Sequence, residues 1–303
     1  MKALLTMRHR TEEFGMKRNY LAFDVGGTTI KYSVINEDLE ILRYGKFDTK
    51  KNIDNHILKT LEEVTMSIQK EIELCGIGVS TAGIVGKDGS IQYAGPTIPN
   101  YINTPIKSAL SSRSKTPVSV INDVDAALLG EVYARNLDQE DVYCIALGTG
   151  IGGAHYRHGE LIGGAHGKSN SIGYSLFDIK TGTNYEQRAS TLTLEARLAE
   201  YNTTVVEAFE KAKQNQMPFI DIIKAWVKEV ARGLAEIIVL FDPNYIVIGG
   251  AVSAQGDYLL GLLNETLTNL LPLNFNQTKL STAKQGNNAQ LIGAIVPLLN
   301  NKA

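Results

Sequence analysis

The first regular pattern in the chain is a set of three short segments with the character of strands. Residues 20–25 are apolar, residues 28–35 alternate between β-forming and polar side chains, and residues 39–47 repeat this alternation. A period of two is typical of strands that bury one face. We therefore predict a β-meander in which Gly26-Gly27 forms the first turn.

The rest of the first half combines helical patterns with two further strands. Apolar side chains spaced by three and four positions predict an amphipathic helix over residues 53–72. Short apolar segments predict strands at 76–80 and 118–121, and a face of Ala and Leu predicts a helix at 125–134. The stretch 82–105 is rich in glycine and proline, which predicts loops.

The second half repeats the order of strand, glycine turn, strand and helices. Residues 142–147 predict a strand, 148–153 a glycine turn and 154–156 a returning strand. The remaining patterns predict helices at 192–201, 203–213, 220–240 and 291–299 and a strand at 245–248. Two α/β lobes built on one plan, with a cleft between them, are the simplest architecture.

This repeat also predicts how the chain is divided. We expect a flexible N-terminal extension over residues 1–18, a small α/β lobe over 19–121 and a large α/β lobe over 122–288. The C-terminal helix, expected within 289–303, is predicted to join the small lobe.

Composition narrows the classes of partner. The 303 residues carry 30 Lys+Arg and 32 Asp+Glu, a formal net charge of −2, and 44% of them are hydrophobic. This balance argues against nucleic acid or a membrane surface as the partner. No apolar stretch is long enough to span a bilayer, and the chain does not begin with a signal-peptide pattern. Cys75 and Cys144 are too few for a disulfide framework; we expect both to be buried and the protein to be cytoplasmic.

Two glycine-rich turns, at residues 24–29 and 147–153, occupy matching places in the two halves. Glycine lets backbone N–H groups approach an anion closely, and the neighbouring threonines add hydroxyl donors. No helix follows the second turn, as a dinucleotide-binding fingerprint requires, and neither turn ends in the Gly-Lys-Ser/Thr of a P-loop. The pair predicts a phosphate cradle made from β-hairpins, with a plain hairpin as the alternative for either turn alone.

Asn122 and Asp123 lie between a predicted strand and a predicted helix, at the edge where α/β folds place ligands. We predict that Asp123 accepts the proton of a substrate hydroxyl that attacks a γ-phosphoryl group, and that Asn122 holds a neighbouring hydroxyl. The alternative is that either residue only caps the helix. Asp24 is predicted to orient Mg²⁺ through water, or else to be a satisfied carboxylate at a strand end.

Five motifs in sequence order together resemble one family. They are residues 24–31 (DVGGTTIK), 122–131 (NDVDAALLGE), 147–153 (LGTGIGG), 163–167 (GGAHG) and 246–251 (IVIGGA). On these motifs, the chain from about residue 20 onward resembles the bacterial sugar kinases of the ROK family (repressors, open reading frames and kinases). The resemblance implies a two-lobed α/β fold of the actin-like ATPase (ribonuclease H-like) type, with the active site in the cleft between the lobes.

The resemblance also implies roles for individual residues. Asp123 would be the catalytic base and, together with Asn122, a sugar ligand. The residues implied to bind ATP and its phosphates are Asp24, Gly26, Gly27, Thr28, Thr29, Lys31, Gly148, Thr149 and Gly150, with Gly249 and Gly250 near the adenosine. The implied cofactors are ATP and Mg²⁺, with Asp24 contacting Mg²⁺ through water. A small-molecule sugar is the expected partner, and a homodimer is a further expectation.

One segment departs from the family pattern. Many members carry Glu-x-Gly-His where this chain has residues 171–174 (SIGY), and their cysteine-rich zinc segment corresponds to residues 181–190, which contain no cysteine. We therefore expect no zinc site. Ser171, Tyr174 and Glu186 stand where the family has sugar ligands, with Glu186 in the place of the last sugar-binding glutamate. Tyr174 in the position of the histidine resembles the β-glucoside kinase branch.

These observations favour an ATP-dependent kinase that phosphorylates a sugar hydroxyl, expected to be O6. Loss of charged partners at the reducing end of the sugar favours a β-glucoside or disaccharide, with glucokinase or N-acetylmannosamine kinase activity as the alternative. A sugar-responsive ROK repressor is a remote alternative, because only about 18 residues precede the first predicted strand, too few for a helix-turn-helix module. The complete set of turn and acidic residues disfavours an inactive sugar-binding protein.

Overall fold

Two five-stranded sheets and one two-stranded hairpin organise the residues that the computed structural model describes, 17–95 and 97–299. Expectations for residues 1–16 and 300–303 lie outside the described residues. Strands and helices alternate along most of the chain, so the predicted α/β class is confirmed. None of the described helices is both long enough and apolar enough to cross a membrane.

The first part of the chain builds the first sheet and the hairpin. In chain order its elements are β1 (Asn19–Val25), β2 (Thr29–Asn36), β3 (Ile41–Asp48), α1 (His56–Gln69), β4 (Gly76–Thr81), β5 (Ile84–Val85), β6 (Ile91–Tyr93), α2 (Ile106–Ser114) and β7 (Val118–Asn122). The strand order is β3-β2-β1-β4-β7, and β1, β4 and β7 run parallel. The predicted meander is confirmed, because β1, β2 and β3 pair antiparallel.

The rest of the chain builds the second sheet. Its elements are α3 (Asp123–Ala134), β8 (Asp141–Leu147), β9 (Ile151–Arg157), β10 (Glu160–Leu161), α4 (Tyr185–Ala189), α5 (Thr191–Ala199), α6 (Val205–Lys213), α7 (Phe219–Phe241), β11 (Tyr245–Gly249), α8 (Gly256–Leu270), β12 (Lys279–Thr282) and α9 (Ala289–Leu299). The strand order is β10-β9-β8-β11-β12, with β8, β11 and β12 parallel. The limits of the lobes at 121 and 288 stay a prediction.

Several local predictions are incomplete. Residues 82–105 contain the hairpin β5-β6 as well as loops, and the patterns above miss α2, α4, α8 and β12. Strand β12 and helix α4 are too short to show a period, and α2 has few apolar positions. Helix α8 does show one, because its buried leucines are four residues apart, at 259, 263 and 267.

Three boundary or burial predictions are wrong. The first long helix begins at His56, because residues 50–55 form a turn in which Asn52 and several neighbours adopt left-handed backbone angles. The returning strand β9 already begins at Ile151, so the second glycine turn is shorter than predicted. Cys75 is exposed because it lies in the connection before β4, whereas Cys144 is buried as expected.

Helices α3 and α9 lie between the two sheets. Helix α9 packs on β1, β4 and β7, and α3 packs on β8 and β9. The apolar cluster around the two helices draws on both sheets and includes Tyr20, Ala22, Leu128, Cys144, Val247 and Ile295. Where the helices cross, a Cβ on Gly293 would collide with the carbonyl oxygen of Ala126, and one on Gly130 with that of Ala289. The crossing therefore requires glycine on both helices.

We predict that Gly293→Ala lowers the free energy of unfolding by about 1–3 kcal/mol, because the added methyl group forces α3 and α9 apart. The measurement is urea-induced unfolding followed by circular dichroism. Gly261→Ala is the matched control: Gly261 is exposed on α8 with no atom near the position of its Cβ, so alanine should raise stability by roughly 0.5–1 kcal/mol. Equal effects of the two substitutions would contradict the crossing argument.

Candidate active site

The carboxyl ends of β1, β4 and β7 lie side by side, because the three strands are parallel neighbours. Asp24 pairs in register with Ser80, and Thr81 pairs with Asn122. Asp123 follows directly as the first residue of α3. One edge of the sheet therefore gathers Asp24, Asn122 and Asp123 from distant parts of the sequence.

Asp24 is a buried carboxylate with partners inside the protein. Lys31, opposite Asp24 on β2, places Nζ 3.0 Å from Oδ2, and the Ser80 hydroxyl lies 3.5 Å from Oδ1. The alternative of a satisfied carboxylate at a strand end is therefore present. Lys31 is engaged by Asp24, and its contact with phosphate stays a prediction.

Within the described residues, no group of three or more His, Cys, Asp or Glu side chains is arranged to hold a metal ion. The sequence assigns Mg²⁺ to Asp24 alone, and this assignment stays a prediction. A single carboxylate such as Asp24 is consistent with the coordination preference of Mg²⁺, which keeps several waters and binds few protein carboxylates.

Asn122 caps helix α3. Its Oδ1 accepts the N–H groups of Val124 at 2.9 Å and Asp125 at 3.4 Å, and its Nδ2 donates to the carbonyl oxygen of Gly83 at 2.8 Å. Capping, the alternative stated for this residue, is therefore present. The side-chain amide carries two N–H donors, and the bond to Gly83 uses one of them. A contact of Asn122 with the sugar stays a prediction.

Asp123 lies in the first turn of α3, and its carboxyl group has a raised pKa. Oδ1 accepts the N–H of Val124 at 3.0 Å. Burial and, after it, the negative charge of Asp24 raise the pKa of Asp123 to about 6. Burial and then the charge of Asp123 likewise raise the pKa of Asp125 to about 6. An aspartate with a pKa near 6 is largely ionised at neutral pH and is a stronger base than an ordinary aspartate.

The first glycine turn offers two backbone donors. The N–H of Gly26 bonds to the carbonyl oxygen of Thr29 at 2.9 Å, whereas the N–H groups of Gly27 and Thr28 have no hydrogen-bond partner among residues 17–95 and 97–299. Thr49 anchors the turn: its hydroxyl donates to the carbonyl oxygen of Gly27 at 2.8 Å, and its N–H to that of Thr28 at 2.9 Å.

The second glycine turn has the same arrangement. The N–H of Gly148 bonds to the carbonyl oxygen of Gly150 at 2.9 Å, and the N–H groups of Thr149 and Gly150 lack a partner in the part of the chain that the structure describes. Thr191 anchors this turn by donating its N–H to the carbonyl oxygen of Gly148 at 2.9 Å. Each turn thus combines two unpaired N–H groups, suited to an anion, with a threonine that holds the backbone.

Two close contacts connect the second turn to the rest of the site. Gly249 ends β11 and Gly250 follows it; a Cβ on Gly250, whose φ is 92°, would collide with the last carbonyl group of β8. On the other side, a Cβ on Gly152 would lie 2.7 Å from a methyl group of Val124. Val124 follows Asp123, so this contact places the start of α3 against β9, the strand that follows the second turn.

Glu186 reaches the second turn from α4. Its Oε2 accepts the N–H of Ile151, the first residue after the turn, at 2.7 Å. A Cβ would lie 2.5 Å from this oxygen if placed on Gly150 and 3.2 Å if placed on Gly173. Glu186 therefore lies between the turn and residues 171–174, the segment that departs from the family pattern.

In that segment Ile172 and Gly173 are buried, whereas Ser171 and Tyr174 lie at the surface. Tyr174 is 66% exposed, and Ser171 is exposed and donates its hydroxyl to the carbonyl oxygen of Lys168 at 2.9 Å. Tyr93, the last residue of β6, is 48% exposed. Burial and the neighbouring Tyr93 hydroxyl raise the pKa of Tyr174. No local signal identifies Tyr93, because it lies in a stretch that the sequence predicts to be loops.

Comparison with known proteins adds independent evidence. A model of the ROK family matches residues 20–300. A β-glucoside kinase of Listeria monocytogenes is 27% identical, with 92% of this chain and 96% of that protein covered. A glucokinase from Streptomyces griseus, solved with glucose and AMPPNP, superimposes with a TM-score of 0.75 at 25% identity, covering 91% of this chain and 97% of that one.

A ROK family protein from Streptococcus pneumoniae, solved in complex with sucrose, gives a TM-score of 0.82 at 26% identity and covers 93% of this chain and 98% of that one. These similarities extend over nearly the full length of every chain compared. The expected actin-like ATPase fold is confirmed by these structural neighbours.

The raised pKa of Asp125 predicts how stability depends on pH. The pKa of Asp125 is about 6 in the folded protein, whereas an aspartate in an unfolded chain has a pKa of about 3.9. The protonated carboxyl group therefore stabilises the fold fully below pH 3.9, and this contribution is lost as the pH rises through 6. Asp125→Asn removes this loss. We expect the variant to exceed the wild type in free energy of unfolding by about 1 kcal/mol at pH 8 and not at pH 4.

The measurement is urea unfolding of both proteins at the two pH values. Asp257→Asn is the control, because Asp257 is exposed in the first turn of α8, where a negative charge favours the helix. This control should gain no stability at pH 8. A gain for Asp125→Asn that is the same at pH 4 and pH 8 would contradict the raised pKa.

Proposed function

We propose that this chain, which belongs to the ROK family and is a sugar kinase, acts on a β-glucoside or disaccharide. In the proposed reaction it transfers the γ-phosphoryl group of ATP to O6 of that sugar. The observation that carries this proposal is the carboxyl group of Asp123, which has a pKa of about 6. It follows β7 at the sheet edge where β1 leads into the first glycine turn, whose Gly27 and Thr28 N–H groups have no partner among the described residues. A base and an anion cradle in one site are the parts that phosphoryl transfer to an alcohol requires.

In this proposal Asp123 is the general base. Its carboxylate takes the proton of the sugar hydroxyl while that oxygen bonds to the γ-phosphorus and the bond to the β–γ bridging oxygen breaks, which releases ADP. The remaining N–H of the Asn122 amide and the Glu186 carboxylate would bind neighbouring hydroxyl groups and orient the sugar. Such positioning supplies much of the acceleration in phosphoryl transfer.

The two glycine turns are proposed to bind the phosphates. Four backbone N–H groups, those of Gly27, Thr28, Thr149 and Gly150, have no partner among the described residues, and such groups bind anionic oxygens well. Gly249-Gly250 would lie near the adenosine. Mg²⁺, held through water by Asp24, would supply neutralisation of the phosphate charge.

We predict that Asp123→Asn lowers kcat by roughly 10²–10⁴-fold, because the amide cannot accept the hydroxyl proton. Affinity for ADP should change by less than about threefold, since the turns that bind phosphate are untouched. A coupled assay of ADP release measures kcat, and calorimetric titration with ADP measures affinity. Turnover close to that of the wild type would remove Asp123 from the chemistry.

The substrate class is proposed from the exposed aromatic residues beside the sugar segment. Tyr174 and Tyr93 come from different parts of the chain, and both retain a large exposed surface. Tyr174 lies near both Tyr93 and Glu186. Aromatic faces pack well on sugar rings and aglycones and keep a hydroxyl for a polar contact. The pair therefore supports a substrate with a second ring, such as cellobiose or an aryl β-glucoside.

We predict that the wild type has a higher kcat/KM for cellobiose than for glucose or N-acetylmannosamine. Tyr174→Ala should lower kcat/KM for cellobiose about tenfold and for glucose less than threefold, since one stacked ring contributes on the order of 1 kcal/mol. Tyr44→Ala, which removes a 52% exposed tyrosine on strand β3, is the matched control and should change neither value. A clear preference of the wild type for glucose or N-acetylmannosamine would reverse the substrate assignment.

A cytoplasmic location and a homodimer stay predictions. An ATP-dependent sugar kinase suits the cytoplasm. The partner in this proposal is a small-molecule sugar, as in the relatives solved with glucose and with sucrose.

A further inference from the structure

Glu186 makes a contact that binding of the sugar alone does not require. Its Oε2 accepts the backbone N–H of Ile151 at 2.7 Å, a short hydrogen bond to a charged acceptor. Ile151 is the first residue of β9 and pairs with Leu147, so the two residues enclose the second glycine turn. The carboxylate therefore holds the backbone at the point where the turn ends.

Two glycines leave the space that the Glu186 carboxylate occupies. A Cβ on Gly150 would lie 2.5 Å from Oε2, and a Cβ on Gly173 would collide with the carbonyl oxygen of Ile151 and lie 3.2 Å from Oε2. Helix α4, which carries Glu186, is itself fixed: Asn184 and Gln187 form a capping box, and the Tyr185 hydroxyl donates to the carbonyl oxygen of Val230 at 2.9 Å. Helix α4 is thus held in place by these contacts and positions the Glu186 carboxylate at the second glycine turn.

The other carboxylate oxygen is free for a second task. Among the described residues, Oε1 of Glu186 has no hydrogen-bond partner. The two N–H groups inside the turn, those of Thr149 and Gly150, are the donors proposed to bind phosphate. One side chain therefore touches the phosphate-binding turn through one oxygen and leaves the other oxygen for the sugar.

We infer that Glu186 is a positioning residue for the nucleotide, because its hydrogen bond to Ile151 holds the second glycine turn in the conformation that binds phosphate. This inference rests on the proposed function, since it needs that turn to bind ATP. It goes beyond the role as sugar ligand, because it requires nucleotide affinity to depend on Glu186 even when no sugar is present.

The test is calorimetric titration of the full chain with ADP and Mg²⁺ in the absence of sugar. Glu186→Ala should weaken ADP binding about tenfold, which corresponds to about 1.4 kcal/mol. Glu186→Gln should bind ADP within threefold of the wild type, because the amide oxygen still accepts the N–H of Ile151. Glu195→Ala, which removes an exposed glutamate from neighbouring α5, is the matched control and should leave ADP affinity unchanged.

Wild-type ADP affinity in Glu186→Ala, or equal weakening in the Ala and Gln variants, would overturn the inference. Thermal unfolding checks that each variant is folded; should the Ala variant not fold, Glu186→Asp replaces it, because its shorter side chain cannot reach Ile151, and it should show the same weakening. The readout does not depend on catalysis. If no sugar is phosphorylated, the proposed function is contradicted. The ADP titration would still decide the role of Glu186.

Discussion

The close crossing of α3 and α9 is the constraint on which the site depends. Helix α3 begins at Asp123, and its position between the two sheets is set where Gly130 and Gly293 let the two backbones touch. The first turn of α3 also packs Val124 against Gly152, next to the second glycine turn. A shift of α3 would therefore move the proposed base relative to both sheets at once. The close packing of the two backbones at the glycine crossing opposes such a shift.

Two acidic residues at one sheet edge behave differently because their surroundings differ. Asp24 lies beside Lys31 and Ser80, so its charge is balanced within the protein. Among the described residues Asp123 forms no ion pair, and it faces the charge of Asp24. Burial together with this repulsion raises the pKa of Asp123 to about 6. The arrangement leaves one carboxylate suited to a cation held through water and the other suited to a proton.

In each glycine turn, different backbone groups have different roles. In both turns one N–H closes the turn on itself and two N–H groups have no partner in the described structure, while Thr49 or Thr191 holds the carbonyl side. Binding an anion with backbone donors requires that the donors be ordered beforehand, because ordering the chain on binding would cost affinity. Glu186 adds a second anchor to the second turn only, which is the turn nearest the sugar segment.

Local patterns in the sequence determined the strand ends, the glycine turns and the acidic residues, because periodicity and glycine placement act over a few residues. They predicted the β-meander, most helices, the kinase motifs and the places of Asn122 and Asp123 in the chain. Only the tertiary structure decided that Asn122 donates to the carbonyl oxygen of Gly83, that Tyr93 approaches Tyr174 and that Glu186 holds Ile151. These contacts join segments far apart in sequence, and their partners are chosen by how the sheets and helices pack, which leaves no trace in any local pattern.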